Sequence, residues 1–163
     1  MESIVVSAVA LDRAEGKVTV VGVPDVPGTV AGIFELLADS GIVVDMIVQN
    51  VSHQGHTDVS FTVPKTELSR AEQLLTDRGD TVVTDPSISK VSLVGLGMRS
   101  HTGVAAKMFR ILADEGINID LVTTSTIKIS VVVAERYGEL ALRALHDGFD
   151  LGQAPAADPT RKP

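Results

Sequence analysis

Two short runs in this 163-residue chain bring together residue types that could hold a small zwitterion. The first is Asp25–Val26–Pro27–Gly28–Thr29–Val30, where a β-branched run ending at Val23 gives way to a helical pattern. Proline near the first helical position and glycine in the turn suit a tight helix start. The backbone N–H groups there can hold a carboxylate, helped by the helix dipole, and Asp25 beside them could accept hydrogen bonds from an ammonium. An ordinary tight turn with an acid near a helix start uses the same residues, and from these alone it is the commoner case. The second run is Gln49–Asn50, inside the apolar stretch from Val43 to Val51. A buried amide is costly without partners, so this is either a ligand-reading group or a satisfied sheet residue. Asn118, which interrupts Gly116–Ile117–Asn118–Ile119, poses the same choice.

The remaining polar residues assemble no reaction centre. Gly95–Leu96–Gly97 lacks the rest of a nucleotide-loop spacing, and no Walker lysine follows. His53, His56, His101 and His146 show no paired metal-ligand spacing. Nothing places a serine on a nucleophile elbow. The reading is therefore a chain with no catalytic residue, no metal and no cofactor. A net charge of −7 without a basic stripe argues against nucleic-acid binding. The absence of cysteine excludes disulfides, thiolate metal sites and thiol catalysis, and it is compatible with the cytoplasm. The apolar run from Ile4 to Leu11 is too short to span a membrane. No basic residue precedes it, so no signal peptide is read there.

The elements that must position these runs come in two copies. Gly28 recurs as Gly103, Phe34 as Phe109, Leu37–Ala38–Asp39 as Leu112–Ala113–Asp114, and Asp45 as Asp120. An internal repeat takes precedence over other fold signals. In the first copy, strand patterns at Val18–Val23, Val43–Val51, His56–Val63 and Thr81–Val83 alternate with helical patterns. One helix begins near Gly28 and carries Val30, Ile33, Phe34 and Leu37. The other opens at Thr66 and carries Leu68, Ala71, Leu74 and Leu75. The order β-α-β-β-α-β is the ferredoxin-like unit. The second copy repeats it over Val91–Leu96, Gly103–Glu115, Ile119–Thr124, Ile127–Val133 and Arg136–Phe149, and then fails. Gly152–Pro159 cannot be a strand. The spare strand from Ile4 to Leu11 is therefore expected to complete the second sheet, with Asp12–Gly16 carrying the chain across. The expected fold class is α+β: two ferredoxin-like modules, antiparallel sheets with helices on one face. The expected domains are residues 17–86, residues 3–12 with 87–151, and a flexible tail over 152–163. Modules of fewer than about 80 residues bury a marginal core alone, so each is expected to lean on the other or on a second chain.

The glycines, Phe34 and the first strand resemble the ACT domain, a small amino-acid-sensing module. Longer strings are more specific. Lys17–Val18–Thr19–Val20, Asp45–Met46–Ile47–Val48–Gln49–Asn50–Val51–Ser52, Lys90–Val91–Ser92–Leu93–Val94–Gly95–Leu96–Gly97–Met98 and Ser125–Thr126–Ile127–Lys128–Ile129–Ser130 are similar to the regulatory region of bacterial aspartokinase. The resemblance runs from about Ile4 to Leu151 and includes no kinase domain. It implies a regulatory subunit that is not an enzyme on its own. Its partners would be a catalytic alpha subunit and a second copy of itself in a homodimer. Its effector would be threonine, or lysine acting with it, in feedback inhibition of aspartate phosphorylation. Met1 directly before the regulatory sequence looks like a natural short subunit, and an expressed fragment would look the same. Carried over position by position, the threonine site comprises Asp25, Pro27, Gly28, Thr29, Val30 and Gln49, with Asn118 and Ile119 from the second module. A weaker second site comprises His101, Thr102, Gly103 and Ser125. The alternative reading is a regulatory small subunit of another amino-acid biosynthetic enzyme, such as acetolactate synthase. A free-standing small enzyme is the third, and the missing catalytic constellation weighs against it.

Overall fold

The computed structural model describes residues 5–96 and 103–152. In chain order the elements are β1 (Val5–Asp12), β2 (Glu15–Pro24), α1 (Thr29–Asp39), β3 (Ile47–Gln49), β4 (His56–Pro64), α2 (Leu68–Arg78), β5 (Thr81–Asp85), β6 (Ile88–Leu96), α3 (Val104–Asp114), β7 (Leu121–Thr124), β8 (Lys128–Ala134) and α4 (Gly138–Gly148). Single turns of 3-10 helix, Lys65–Glu67 and Glu135–Tyr137, precede α2 and α4.

The strands form two four-stranded antiparallel sheets, ordered β3-β4-β2-β5 and β1-β6-β8-β7. The orders match element for element when β1 stands in the place of β5. β1 runs antiparallel to β6 from Val5 opposite Leu96 to Asp12 opposite Lys90, as β5 does to β2 from Thr81 opposite Val21 to Asp85 opposite Lys17. The first strand of the chain thus completes the second module, as its sequence position led us to expect.

Alternation along β2 explains why its module folds. Val18 and Val20 point into a core with Ile33, Leu37, Phe61 and Leu75, while Lys17 and Thr19 take the other face. Each fully buried aliphatic side chain there contributes roughly 1.5–3 kcal/mol. The second core repeats the arrangement with Val91, Leu93, Met108, Leu112, Val131 and Leu145. On the helix-free faces, Thr19 and Ser60 pair their hydroxyls at 2.9 Å, and Ser92 and Ser130 do so at 2.8 Å. β6 is buried continuously from Ile88 to Leu93, so both its faces are covered. A third apolar cluster of Met46, Ile88 and Val132, with Leu121 against it, joins the modules.

One element differs from the sequence reading. A strand over Val43–Val51 was expected, and only Ile47–Gln49 form one. The Met46 N–H donates to the Thr62 hydroxyl at 3.1 Å rather than into a regular ladder, and Met46 is buried in the inter-module cluster. The Asp45 N–H donates to the Thr62 carbonyl at 3.0 Å and the Thr62 N–H to the Met46 carbonyl at 3.1 Å, so the chain before Ile47 keeps only an irregular pairing with β4, and Val43 is exposed.

Candidate functional site

The exit of β2 is shaped by a bulge. Its ladder with β4 is regular from Glu15 opposite Pro64 to Val20 opposite Val59, slips across Val21–Gly22, and resumes at Val23 opposite Thr57. Gly22 takes the slip at φ 66°. The Asp25 N–H then donates to the Gly55 carbonyl at 2.9 Å, so the turn rests on the β3–β4 hairpin tip. Gly28 sits at φ 93°, ψ −17°, a left-handed conformation that favours glycine. No side chain caps α1 after it, which leaves first-turn N–H groups for solvent or a ligand. Asp25, Pro27 and Gly28 are exposed, and Thr29 and Val30 are half-buried.

Gln49 lies opposite Val59 on β4, one strand away from the β2 exit. β4 lies between them, so the strands carrying the two arms of the candidate site are about 10 Å apart laterally, two strand spacings. The choice left open by the sequence resolves in one respect: Gln49 and Asn50 are both exposed, so neither is an amide satisfied in the core. The same segment exposes apolar side chains, Ile47 at 49%, Val43 at 70% and Val51 at 93%. Asn118 and Ile119 precede β7 in the other sheet. Asn118 is exposed, and Ile119 packs on its own module's core. Within one chain, then, the first-module residues share one end of a sheet, and Asn118 and Ile119 lead into β7 of the other sheet, which lies against β3 across the seam.

Of the second set, Gly103 starts α3 without a side-chain cap. It borders a cavity of about 240 Å³ that Val6, Val104, Lys107, Phe149 and Asp150 also line. Ser125 is spent on a tight turn: its N–H donates to the Lys128 carbonyl at 2.8 Å, and its hydroxyl accepts the Ile127 N–H at 3.3 Å. His101 and Thr102 lie outside the described residues. Among the described residues, no group of three or more His, Cys, Asp or Glu could hold a metal.

Sequence reasoning gave no role to the charged groups at the seam between modules. Lys90 on β6 is 9% exposed and is ion-paired with Asp45, with Glu15 at 3.2 Å and with Asp12 at 3.7 Å. Lys17, its counterpart on β2, reaches Asp120 at 3.9 Å. Lys65 meets Glu135 at 3.4 Å between the two 3-10 turns. Burial raises the Glu15 carboxyl above its ordinary pKa, with Lys90 opposing. The hydrogen bond from Lys90 lowers that of Asp45. Burial works against the Lys90 ammonium, and its hydrogen bond to Asp45 together with the nearby Glu15 carboxylate outweighs this and raises its pKa. The available signal was the recurrence of lysine and aspartate at matching places in both copies.

A duplicated ferredoxin-like fold, with the second copy's last strand taken from the N-terminus, defines a tandem pair of small α+β modules. A family model described as ACT domain matches residues 18–78 and 91–149. An aspartate kinase of Pseudomonas fluorescens is 50% identical over 161 residues, covering 96% of this chain and 39% of its own length. The chain thus spans well under half the length of such curated relatives. Among solved structures, one of aspartokinase alpha and beta subunits aligns at TM-score 0.84 and 48% identity, covering 90% of this chain and 100% of the matched one. The ligand-free regulatory subunit of aspartate kinase from Thermus thermophilus aligns at TM-score 0.84 and 40% identity, covering 88% and 98%. The chain belongs to the ACT-domain family, as two domains in tandem, and corresponds to the regulatory portion of aspartokinase.

Proposed function

We propose that this chain is a non-catalytic regulatory subunit that binds threonine, with lysine as the second effector to test, and thereby feedback-inhibits an aspartate kinase. The observation that carries the proposal is the uncapped start of α1 at left-handed Gly28, beside Asp25 and at the same sheet end as Gln49. The first-turn N–H groups bind the effector carboxylate. Asp25 or a nearby carbonyl takes its ammonium. The Gln49 amide reads the hydroxyl, since a polar group left unpaired discriminates against ligands lacking one.

Asn118 and Ile119 belong to the second module's sheet, and in this reading they complete the site from a second copy in a homodimer. The exposed Ile47, Val43 and Val51 supply apolar surface for that contact. Effector held between two chains stabilises one dimer arrangement and shifts an attached catalytic alpha subunit toward its inactive state, a coupling typically worth about 1–3 kcal/mol. We place the protein in the cytoplasm, where such an enzyme meets its substrates.

Isothermal titration of the chain with threonine, lysine, valine and isoleucine tests the assignment. Threonine is expected to bind, and Gln49→Ala to weaken it roughly tenfold, the loss of one well-placed hydrogen bond. Valine heats with no threonine response transfer the chain to a branched-chain pathway such as that of acetolactate synthase. Unchanged affinity in Gln49→Ala removes Gln49 from the site. Aspartate-dependent ATP turnover by the chain alone overturns the non-catalytic assignment.

A further inference from the structure

The first residues of β4 tie down both arms of the candidate site, and they do so with side chains that the second module lacks. The bulge at Val21–Gly22 takes the Gly22 N–H out of the strand ladder, and an unpaired backbone donor needs an acceptor. The Asp58 carboxylate supplies it, with Oδ1 at 2.9 Å from the Gly22 nitrogen. On the other side, the Thr57 hydroxyl donates to the Asn50 carbonyl at 2.6 Å, and Thr57 is only 4% exposed. The Asn50 N–H returns a bond to the Asp58 carbonyl at 3.1 Å. Two adjacent residues thus reach in opposite directions, one to the strand that ends in the Asp25–Val30 turn, the other to the residue after Gln49.

The equivalent strand start in the second module is built otherwise. The register that sets Thr19 opposite Ser60 sets Ser92 opposite Ser130, which puts Ile127 and Lys128 in the places of Thr57 and Asp58. There the Gly95 N–H donates to the Ile127 carbonyl at 2.9 Å, a main-chain bond that needs no side chain. Ile127 is 52% exposed. The second module thus reaches the same fold without these side chains, and among the described residues the clamp is found only where the first module turns from β2 into α1.

We propose that Thr57 and Asp58 are positioning residues that fix the separation between the carboxylate-binding helix start and Gln49. This rests on the reading that those two arms bind the effector. A site held only by its loops loses affinity when its arms drift by an ångström, and a hydrogen bond to a carboxylate is the stronger kind of tether.

The test is isothermal titration of the whole chain with threonine, with binding stoichiometry reporting the folded fraction. Thr57→Val and Asp58→Ala are each expected to weaken threonine roughly five- to tenfold, as loss of one such bond implies. Thr57→Ser and Asp58→Asn, which keep a donor and an acceptor in place, are expected to stay within about twofold. Without ligand, amide hydrogen exchange at Gly22 should quicken in Asp58→Ala and not in Asp58→Asn. Parent affinity in both Thr57→Val and Asp58→Ala overturns the proposal. Equal losses in the conservative pair overturn it too, because they show a general packing effect. A parent chain that binds no threonine or lysine sinks the effector reading instead. In that event unchanged Gly22 exchange in Asp58→Ala still overturns the clamp on its own.

Discussion

Lys17 and Lys90 occupy equivalent positions in the two modules, and each reaches across the seam toward the other module's aspartate, yet the two ends are built differently. Lys90 is nearly buried among Asp12, Glu15 and Asp45, with an 11% exposed side chain. The Lys17 side chain is 22% exposed and has Asp120 at 3.9 Å. The register explains part of the difference. Asp12 stands opposite Lys90 as Asp85 stands opposite Lys17, so one carboxylate is matched. Glu15 has no such match, because the equivalent place two residues before Lys90 is Ile88, fully buried in the inter-module cluster. The better-held end is also the one beside the candidate site: Asp45 is two residues before β3, the strand that carries Gln49. Asp120, two residues after Asn118, is held by the weaker pair. A duplicated scaffold thus joins its copies by a near-symmetric set of ion pairs and tightens only the one behind the strand that carries Gln49.

Removing Lys90 should break this comparison most severely. Lys90→Met keeps much of the side-chain volume but leaves three carboxylates together without their cation. Breaking a fully buried pair costs about 3–5 kcal/mol. Asp12 and Asp45 are each 41% exposed, and solvent screening of exposed partners brings the expected loss to about 2–3 kcal/mol in urea unfolding at pH 7. A change under about 0.5 kcal/mol, the size of an exposed pair, would show that Lys90 is an ordinary surface lysine.

A smaller effect separates Glu15 from Asp45 within the same cluster. Glu15 binds its proton more tightly when folded. Its contribution is therefore present below the ordinary 4.5 and is lost as pH rises through the raised folded value. Asp45 shifts the other way. Its contribution is present above the ordinary 3.8 and is lost as pH falls through the lowered folded value. Stability should thus rise as pH drops through the raised Glu15 value toward 4.5 and fall below 3.8. In Glu15→Gln the rise should flatten while the acid-side fall remains. Superimposable pH profiles for the two proteins above 4.5 would remove Glu15 from the linkage.

What could be read without coordinates follows the range of the interactions. Hydrophobic period and turn residues are local, so the repeat, the four helices and the strand borrowed from the N-terminus were all legible. The borrowed strand was legible because Gly152–Pro159 could not serve and Ile4–Leu11 was unassigned. The shortening of β3 was not, because it depends on the Thr62 hydroxyl, 16 residues away, capturing the Met46 N–H. The candidate turn at Asp25–Val30 was visible in its proline and glycine. The clamp behind it was not, since Thr57 and Asp58 read as ordinary strand residues until the bulge at Gly22 places an N–H before them. Lys90 was equally silent: an alternating strand normally exposes such a lysine, and only the facing module buries it.

The mildest perturbation tests whether the seam is graded at all. Lys17→Met removes a pair whose Lys and Asp side chains are 22% and 32% exposed at 3.9 Å. Such a pair is expected to contribute about 0.2–1 kcal/mol, and among the described residues its loss strands no other carboxylate ion-paired with Lys17. If the two ends differ as their surroundings imply, Lys17→Met should cost less than half of what Lys90→Met does. It should also leave threonine affinity within about twofold of the parent, a difference of about 0.4 kcal/mol by the usual conversion. Equal losses at Lys17 and Lys90 would mean that Glu15 and burial add nothing to the second end, and that the unequal seam is an accident of divergence. A Lys17 variant that loses threonine affinity while Lys90→Met keeps it would reverse the assignment and put the controlling contact at Asp120, beside Asn118 and Ile119.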